Sequence, residues 1–384
     1  MILENQKHLF DIPDDLVYLN CAAQSPCLLE SAAAGRRGVA RKANPWDPDR
    51  AYVATEMEEC RNLFGSMVGA TASDIAITFS TSYAVAIAAK NLSVPRGQEI
   101  VLLDCQFPSN YYAWQKVAGR DDALLRVVLR PSDFDWTAAV LEILGPKTGL
   151  VALPNCHWTD GSYLDLVVIG ARCRELNVPL IVDATQSVGA LPTDVKTIQP
   201  DYLIVSAYKW LLCPDMMGFM YVAPHRQDGE PLENNHQGRD NAPSMEISSG
   251  YSDEYVSGAK RFDMGAADSM IHLPMSKTAL TQIQNWRVHA IQDSLRRLTD
   301  RIAAQAEAMA FWVPPVNCRV GHFIGLWPKQ PLSQGLVSRL ADRKVYVSLR
   351  AGAIRVSPYL FNDIKDVDTF FDALELELAN EQRV

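Results

Sequence analysis

The sequence predicts an α/β protein, with a mostly parallel sheet covered by helices on both faces and a smaller α+β domain after it. Three observations carry this expectation. From residue 75 onward, short apolar runs alternate with longer helix-like stretches, the rhythm of strand–helix–strand units. The 384 residues are too many for one ordinary core, so two packed domains are expected. Near residue 261 the pattern changes character, first to helical spacing and then to mixed short strands and helices. We therefore divide the chain into an N-terminal segment (1–20) packing on the small domain, a large domain (21–260) and a small α+β domain (261–384).

Taken in order, "DIAITF" precedes the helix-like "TSYAVAIAAKNL", "EIVLL" precedes "PSNYYAWQKVA", and "TGLVALP" precedes "LDLVVIGARCREL". "VPLIVDA", "DYLIVS" and "FMYVAP" complete the strand-like runs. A long polar stretch, about 227 to 260, follows without clear periodicity; it reads as a binding loop, a segment reaching a partner subunit or a plain surface insertion. From 275 to 311 Leu280, Ile283, Trp286, Ile291, Leu295, Leu298 and Ile302 fall near one helical face. "HFIGLWP", "KVYVSLRAGAIRVSP" and the helix-like "VDTFFDALELEL" make up the remainder.

Composition narrows the function. A net charge of −9, with no dense stretch of Lys and Arg, argues against a nucleic-acid partner and leaves small molecules. The eight cysteines form neither a CxxC nor a His-linked zinc spacing, and several sit in apolar runs, as reduced buried thiols do; no metal site is expected. The start "MILENQKHLF" has no long apolar core, and no run reaches the ~18 apolar residues of a membrane span. The expectation is a cytoplasmic protein with no membrane partner.

Ligands of such sheets bind beyond the C-terminal ends of the strands. There "TFSTSYA" gathers Ser80, Thr81 and Ser82 where a strand turns into a helix, which is either an anion cup or ordinary helix capping. "LIVDATQ" ends a strand on Asp183, a carboxylate that needs a cationic or hydrogen-bonding partner there. "YLIVSAYKWLL" places Lys209 between Tyr208 and Trp210. Such a lysine either snorkels to water or is a desolvated amine with a lowered pKa. An amine for an aldehyde, an acid for a pyridinium nitrogen and a cup for a phosphate together point to pyridoxal phosphate.

"VDATQSVGALPTDV", "DYLIVSAYKWLLCPDMMGFMYV" and "IRVSPYLFNDIKDVDTF" resemble the class V aminotransferase family of fold-type I pyridoxal phosphate enzymes, which includes cysteine desulfurases, kynureninases and isopenicillin epimerases. The resemblance runs from about residue 18 to the C-terminal helix and implies a seven-stranded type of sheet, pyridoxal 5'-phosphate as cofactor, an amino-acid substrate and a homodimer with shared active sites. It implies that Lys209 binds the cofactor covalently and shuttles the Cα proton, that Asp183 holds the pyridine nitrogen, and that Gln186 bonds the ring oxygen. Thr81, Ser82, Ser206 and Tyr208 would hold the phosphate. Phe107 would stack on one ring face and Ala184 close the other. Arg355 would grip the substrate carboxylate, with His157 and Trp158 lining the substrate side.

Some residues depart from the family pattern. The stretch "VSLRAGAIRVSP" is short and lacks the cysteine a desulfurase uses, and Cys318 in "PPVNCRVGHF" is a poor substitute. Ala266 follows Gly265 where many members have a threonine that meets the partner's phosphate. The expected activity is aminotransfer or β-lysis of a C–S or C–C bond, with epimerisation or a non-catalytic regulatory role as alternatives.

Overall fold

The apolar runs expected to be strands do form one sheet. In the computed structural model, which describes residues 2–44, 46, 51–240, 251 and 253–381, a short β1 (Val17–Tyr18) precedes the sheet. The sheet strands are β2 (Ile75–Thr78), β3 (Glu99–Leu103), β4 (Leu124–Val128), β5 (Thr148–Pro154), β6 (Leu180–Asp183), β7 (Tyr202–Ser206) and β8 (Gly218–Val222). Their order is β2-β8-β7-β6-β5-β3-β4. Strand β8 runs antiparallel to both neighbours, and the pairs β7–β6, β6–β5, β5–β3 and β3–β4 are parallel. Strands β2, β6, β7 and β8 are buried along their whole length, which is why they read as unbroken apolar runs. At the far edge, β4 alternates exposed and half-buried residues and follows its helix directly, so the sequence reading passed over it.

Helices α1 (Leu29–Ala43) and α2 (Ala51–Val68) precede the sheet, and α3 (Thr81–Asn91), α4 (Pro108–Asp121), α5 (Trp136–Ile143), α6 (Leu166–Glu175) and the short α7 (Val195–Ile198) connect its strands. The helical stretch expected from 275 to 311 is two helices, α8 (His272–Trp286) and α9 (Val288–Ala308). Arg287, at φ 65°, breaks them, because a helix cannot continue through positive φ. Beyond them β9 (Ile324–Leu326), α10 (Leu336–Asp342), β10 (Val345–Tyr346), β11 (Ser348–Arg350), β12 (Ala353–Val356) and α11 (Ile364–Glu381) complete the chain. A three-stranded antiparallel sheet has the order β11-β12-β9, and β1 pairs in parallel with β10. We propose a division of the chain near residue 261, with α8 reaching back across it onto α1 and α2.

The N-terminal segment is bound to this later part. Leu3 donates to Ser294 Oγ at 2.8 Å, Gln6 to the Leu360 carbonyl at 2.8 Å and Leu19 to the Tyr346 carbonyl at 2.9 Å. In the long polar stretch, the described residues fold onto their own chain: Glu230 donates to Asn91 Oδ1 at 2.7 Å and Asn235 to the Asp263 carbonyl at 3.2 Å. The middle of that stretch, 241–250, lies outside the described residues.

At the β2 edge a buried ion pair replaces a neighbouring strand. Asp263 accepts the Ile77 N–H at 2.8 Å, while the Ile77 carbonyl accepts the Met264 N–H at 3.0 Å. Arg61 from α2 clamps Asp263 at 2.9 and 2.5 Å and also donates to the Ile75 carbonyl at 2.9 Å. Removing one partner leaves an uncompensated buried charge. Asp263→Ala is expected to cost about 3–5 kcal/mol, read as a lower urea midpoint at unchanged slope; a loss below about 1 kcal/mol, the exposed-pair range, would contradict this account.

Candidate active site

Five loops leave the sheet at the C-terminal ends of β2, β3, β5, β6 and β7 and enclose a cavity of about 200 Å³. Of the residues singled out from sequence, Thr81, Ser82, Phe107, His157, Trp158, Asp183, Gln186, Ser206, Tyr208 and Lys209 line it. Ala184 does not line it: it is fully buried, and its N–H pairs with the Ile204 carbonyl at 2.8 Å as an extension of the β6–β7 ladder. Thr185, one residue on, occupies the wall instead.

Lys209 follows β7 and is only 7% exposed. Burial lowers its pKa to about 8, aided by the positive charges of Arg355 and Arg350 and opposed by Asp183. Its Nζ stands 5.6 Å from the Phe107 ring centre and 5.5 Å from that of Tyr208. Asp183 closes β6, where Thr185 donates its N–H to Oδ1 at 3.1 Å. Burial pushes the Asp183 carboxyl up, against the pull of Thr185 and Lys209. Among the described residues it has no ion-pair partner within bonding distance.

At the other end, hydroxyls meet the N-terminus of α3. Thr81 Oγ1 lies 2.8 Å from both Thr185 Oγ1 and Ser206 Oγ; the Thr81 N–H donates to Ser206 Oγ at 2.9 Å and the Ser206 N–H to Thr185 Oγ1 at 3.1 Å. Ser80 caps the helix by accepting the Tyr83 N–H at 3.2 Å. The Thr81 and Tyr83 N–H groups are engaged in this way, and the hydroxyls of Thr81, Thr185 and Ser206 gathered at the helix start are the donors that suit a phosphate. The sequence reading overlooked Thr185, although a hydroxyl two residues beyond a strand-terminal aspartate was a visible signal; Gln106, Ser109 and Cys156 also line the cavity unforeseen.

Gln186 is more committed than expected. Its Nε2 donates to the Ala22 carbonyl at 2.9 Å and its Oε1 accepts from Trp210 Nε1 at 2.8 Å, leaving one amide hydrogen for a ligand. Behind it His322 Nε2 donates to the Gln186 carbonyl at 2.6 Å, and burial drives the His322 pKa down to about 3.

His157 and Trp158 follow β5. The buried His157 ring stacks on Trp136 with centroids 5.1 Å apart, donates from Nε2 to the Asp104 carbonyl at 2.9 Å and has Thr159 Oγ1 2.7 Å from Nδ1. Burial lowers its pKa, so the ring is neutral with both nitrogens engaged. Trp158 meets Phe107 edge-on at 5.4 Å and donates to the Cys105 carbonyl at 2.7 Å. Arg130 pairs with Asp160 and donates to Thr159 Oγ1 at 3.0 Å, while Asp160 also accepts from Ser162. Gly325 of β9 lets this loop approach: a Cβ there would come within 2.4 Å of the Asp160 Cβ.

Arg355, on β12, lies outside the cavity lining but against its rim. It is 1% exposed, and Nη1 donates to the Trp158 carbonyl at 2.8 Å. Its Nε is buried without a partner, no described carboxylate pairs with it, and burial, helped by Arg350, lowers its pKa to about 9.

The sequence model of Aminotransferase class-V matches residues 47–370. The chain belongs to the class-V aminotransferase family. Similar proteins include the "Uncharacterized aminotransferase YcbU" of Bacillus subtilis (strain 168), 25% identical over 83% of this chain and 82% of that one. "Isopenicillin N epimerase" of Streptomyces clavuligerus is 28% identical over 50% of this chain and 49% of its own. A solved complex of the cystine C–S lyase C-DES with cysteine persulfide superposes with a TM-score of 0.85 at 20% identity, covering 94% of this chain and 97% of that one. This class-V member is a pyridoxal-phosphate enzyme of fold type I.

The cavity suits that cofactor. Asp183 is a buried carboxylate lacking a cation among the described residues, as a protonated ring nitrogen would supply; Lys209 is an amine, and the hydroxyls of Thr81, Thr185 and Ser206 would suit a phosphate. A neutral amine attacks an aldehyde, so the rate at which apoprotein captures pyridoxal phosphate is expected to rise with pH and level off above about 8. Stopped-flow absorbance measures the rate, and borohydride followed by peptide mapping locates the label on Lys209. A midpoint near the ordinary 10.5, or a label on another lysine, would contradict this assignment.

Proposed function

We propose that this enzyme activates the Cα–H bond of an α-amino acid and proceeds as an aminotransferase or a C–S or C–C β-lyase. The observation that carries the reading is a buried Lys209, its pKa lowered by burial to about 8, under the influence of Asp183 and Arg355, neither of which has an ion-pair partner among the described residues. Bound pyridoxal phosphate supplies an electron sink for the pair left when that C–H bond breaks. Lys209 takes and returns the proton, a task suited to an amine near neutrality. Asp183 keeps the ring nitrogen protonated by ion pairing. Thr81, Thr185, Ser206, Ser82 and Tyr208 hold the phosphate, Phe107 covers the ring, and the remaining amide hydrogen of Gln186 goes to the ring oxygen.

Arg355 orients the substrate. With Nη1 tied to Trp158, the Nε and Nη2 edge remains, the two-pronged geometry that suits one carboxylate. His157 and Trp158 form the wall on that side.

The relatives' names span transamination and epimerisation, so the cavity's own proton carriers favour one branch. His157 has both ring nitrogens engaged, and burial raises the Cys156 thiol well above its ordinary range while it donates to the Gln186 carbonyl at 3.3 Å. If Tyr208 serves the phosphate, Lys209 is the one proton carrier left among the described residues of the cavity. One shuttle suits transamination or β-elimination, whereas inversion at Cα draws a proton from one face and delivers it to the other. The same thiol chemistry speaks against a persulfide route, since Cys318 is also raised by burial and the β11–β12 turn is Ala351–Gly352.

Product analysis separates the branches: ammonia with a keto acid marks elimination, and pyridoxamine phosphate marks transamination. Arg355→Lys keeps the charge and loses the fork, and is expected to weaken amino-acid binding by roughly 1.5–3 kcal/mol with the cofactor absorbance unchanged. Normal binding, or loss of cofactor, would remove Arg355 from the carboxylate role. We also propose a homodimer, expected as twice the chain mass in light scattering; a cofactor-loaded monomer would contradict it.

A further inference from the structure

The hairpin that carries Arg355 carries a second arginine on the same face. In the β11–β12 ladder Ser348 lies opposite Arg355 and Arg350 opposite Ala353. Residues directly opposite share a face, and so do residues two apart along a strand. Ser348, Arg350 and Arg355 therefore project from one side, with Arg350 diagonal to Arg355 at about 7–8 Å between backbones. That side is the cavity rim, because Arg355 bonds Trp158 there.

Three polar groups on this face lack partners they should have. Among the described residues, Ser348 Oγ and Arg355 Nε are buried with no hydrogen bond. Arg350 is half-buried, and the bond it makes is to the neighbouring Leu349 carbonyl at 2.9 Å, with no described carboxylate in pairing distance. One α-carboxylate fills the free edge of Arg355 and reaches the Ser348 hydroxyl. It would leave Arg350, which is less buried than Arg355, unanswered.

We infer that Arg350 is a specificity residue that receives a side-chain carboxylate, so that the preferred substrates are acidic amino acids of the aspartate and glutamate class. This rests on the reading of Arg355 as the α-carboxylate site. The diagonal spacing of the two arginines matches a chain of one or two methylenes between two carboxylates, with flexible arginine stems taking up the difference. Two cations side by side repel, and an amino acid bearing two carboxylates relieves that repulsion at both positions at once. The lowered pKa of Lys209, to which both arginines contribute, accords with a site short of negative charge.

The test is absorbance titration of the holoenzyme with aspartate against asparagine, glutamate against glutamine, and alanine. Each amide keeps the amino group, the α-carboxylate and the shape of its acid. Wild type is expected to bind the better acid about tenfold more tightly than its amide, the order of a charge-assisted contact. Arg350→Gln is expected to bring that ratio near one, and Arg350→Lys to leave it intermediate. A wild-type ratio near one, or a ratio unchanged in Arg350→Gln, overturns the inference while leaving the amino-acid reading in place. No spectral response to any of the five overturns that reading and the inference with it. If Arg350→Gln instead changes the mass in light scattering, its partner is on another subunit and the inference fails.

Discussion

The site is governed by an imbalance of buried charge. Lys209 and Arg355 are both removed from water, and the buried acid Asp183 acts on Lys209. Desolvated cations are costly unless paired, and no described side chain completes the pairing. Burial, aided by the neighbouring arginines, lowers the lysine's pKa, and the missing partner leaves the arginine with an open edge. In the proposed reading a phosphate at one end and a carboxylate at the other would restore balance, so that ligand recognition and relief of electrostatic strain would be the same event.

Holding those charges apart requires a stiff frame, and it comes from polar contacts more than from the sheet alone. Asp160 links Arg130 to Ser162, and the Asp160 carbonyl accepts the Gly325 N–H at 2.9 Å, joining the β5 loop to the three-stranded sheet. Arg130 lies over both Trp136 and Trp327, at 5.3 and 4.8 Å, so the loop carrying His157 and Trp158 is packed on each side. A neutral His157 stacked on Trp136 is part of this frame as much as of the cavity wall.

Much of this was legible in the residues. Buried strands announce themselves as apolar runs, so β2, β3 and β5 to β8 were foreseen, as was the gathering of Asp183, Ser206 and Lys209 at their ends. The half-exposed edge strand β4 has its apolar run "LLRVV" split by Arg126 and set directly after a helix, and the break at Arg287 depends on a backbone torsion with no residue signature. At the site, the turn after Asp183 decided which neighbour faces the cavity: Ala184 continues the ladder and Thr185 turns in. The engagement of Gln186 by Ala22 and Trp210 spans residues far apart in sequence and could not be read before folding.

Ala22 joins two halves of the machinery through its backbone. Its N–H donates to Ser357 Oγ at 3.0 Å, next to the strand that bears Arg355, and its carbonyl receives the Gln186 amide. One peptide residue thus ties the strand end beside Arg355 to the cavity wall at Gln186. Because the clasp is main chain, it is indifferent to the chemistry of the methyl group that Ala22 carries and sensitive to its size, since that position is fully enclosed. Evolution can therefore retune the pocket walls residue by residue without disturbing this alignment, whereas an insertion or deletion in the strap that leads to Ala22 would shift it out of register.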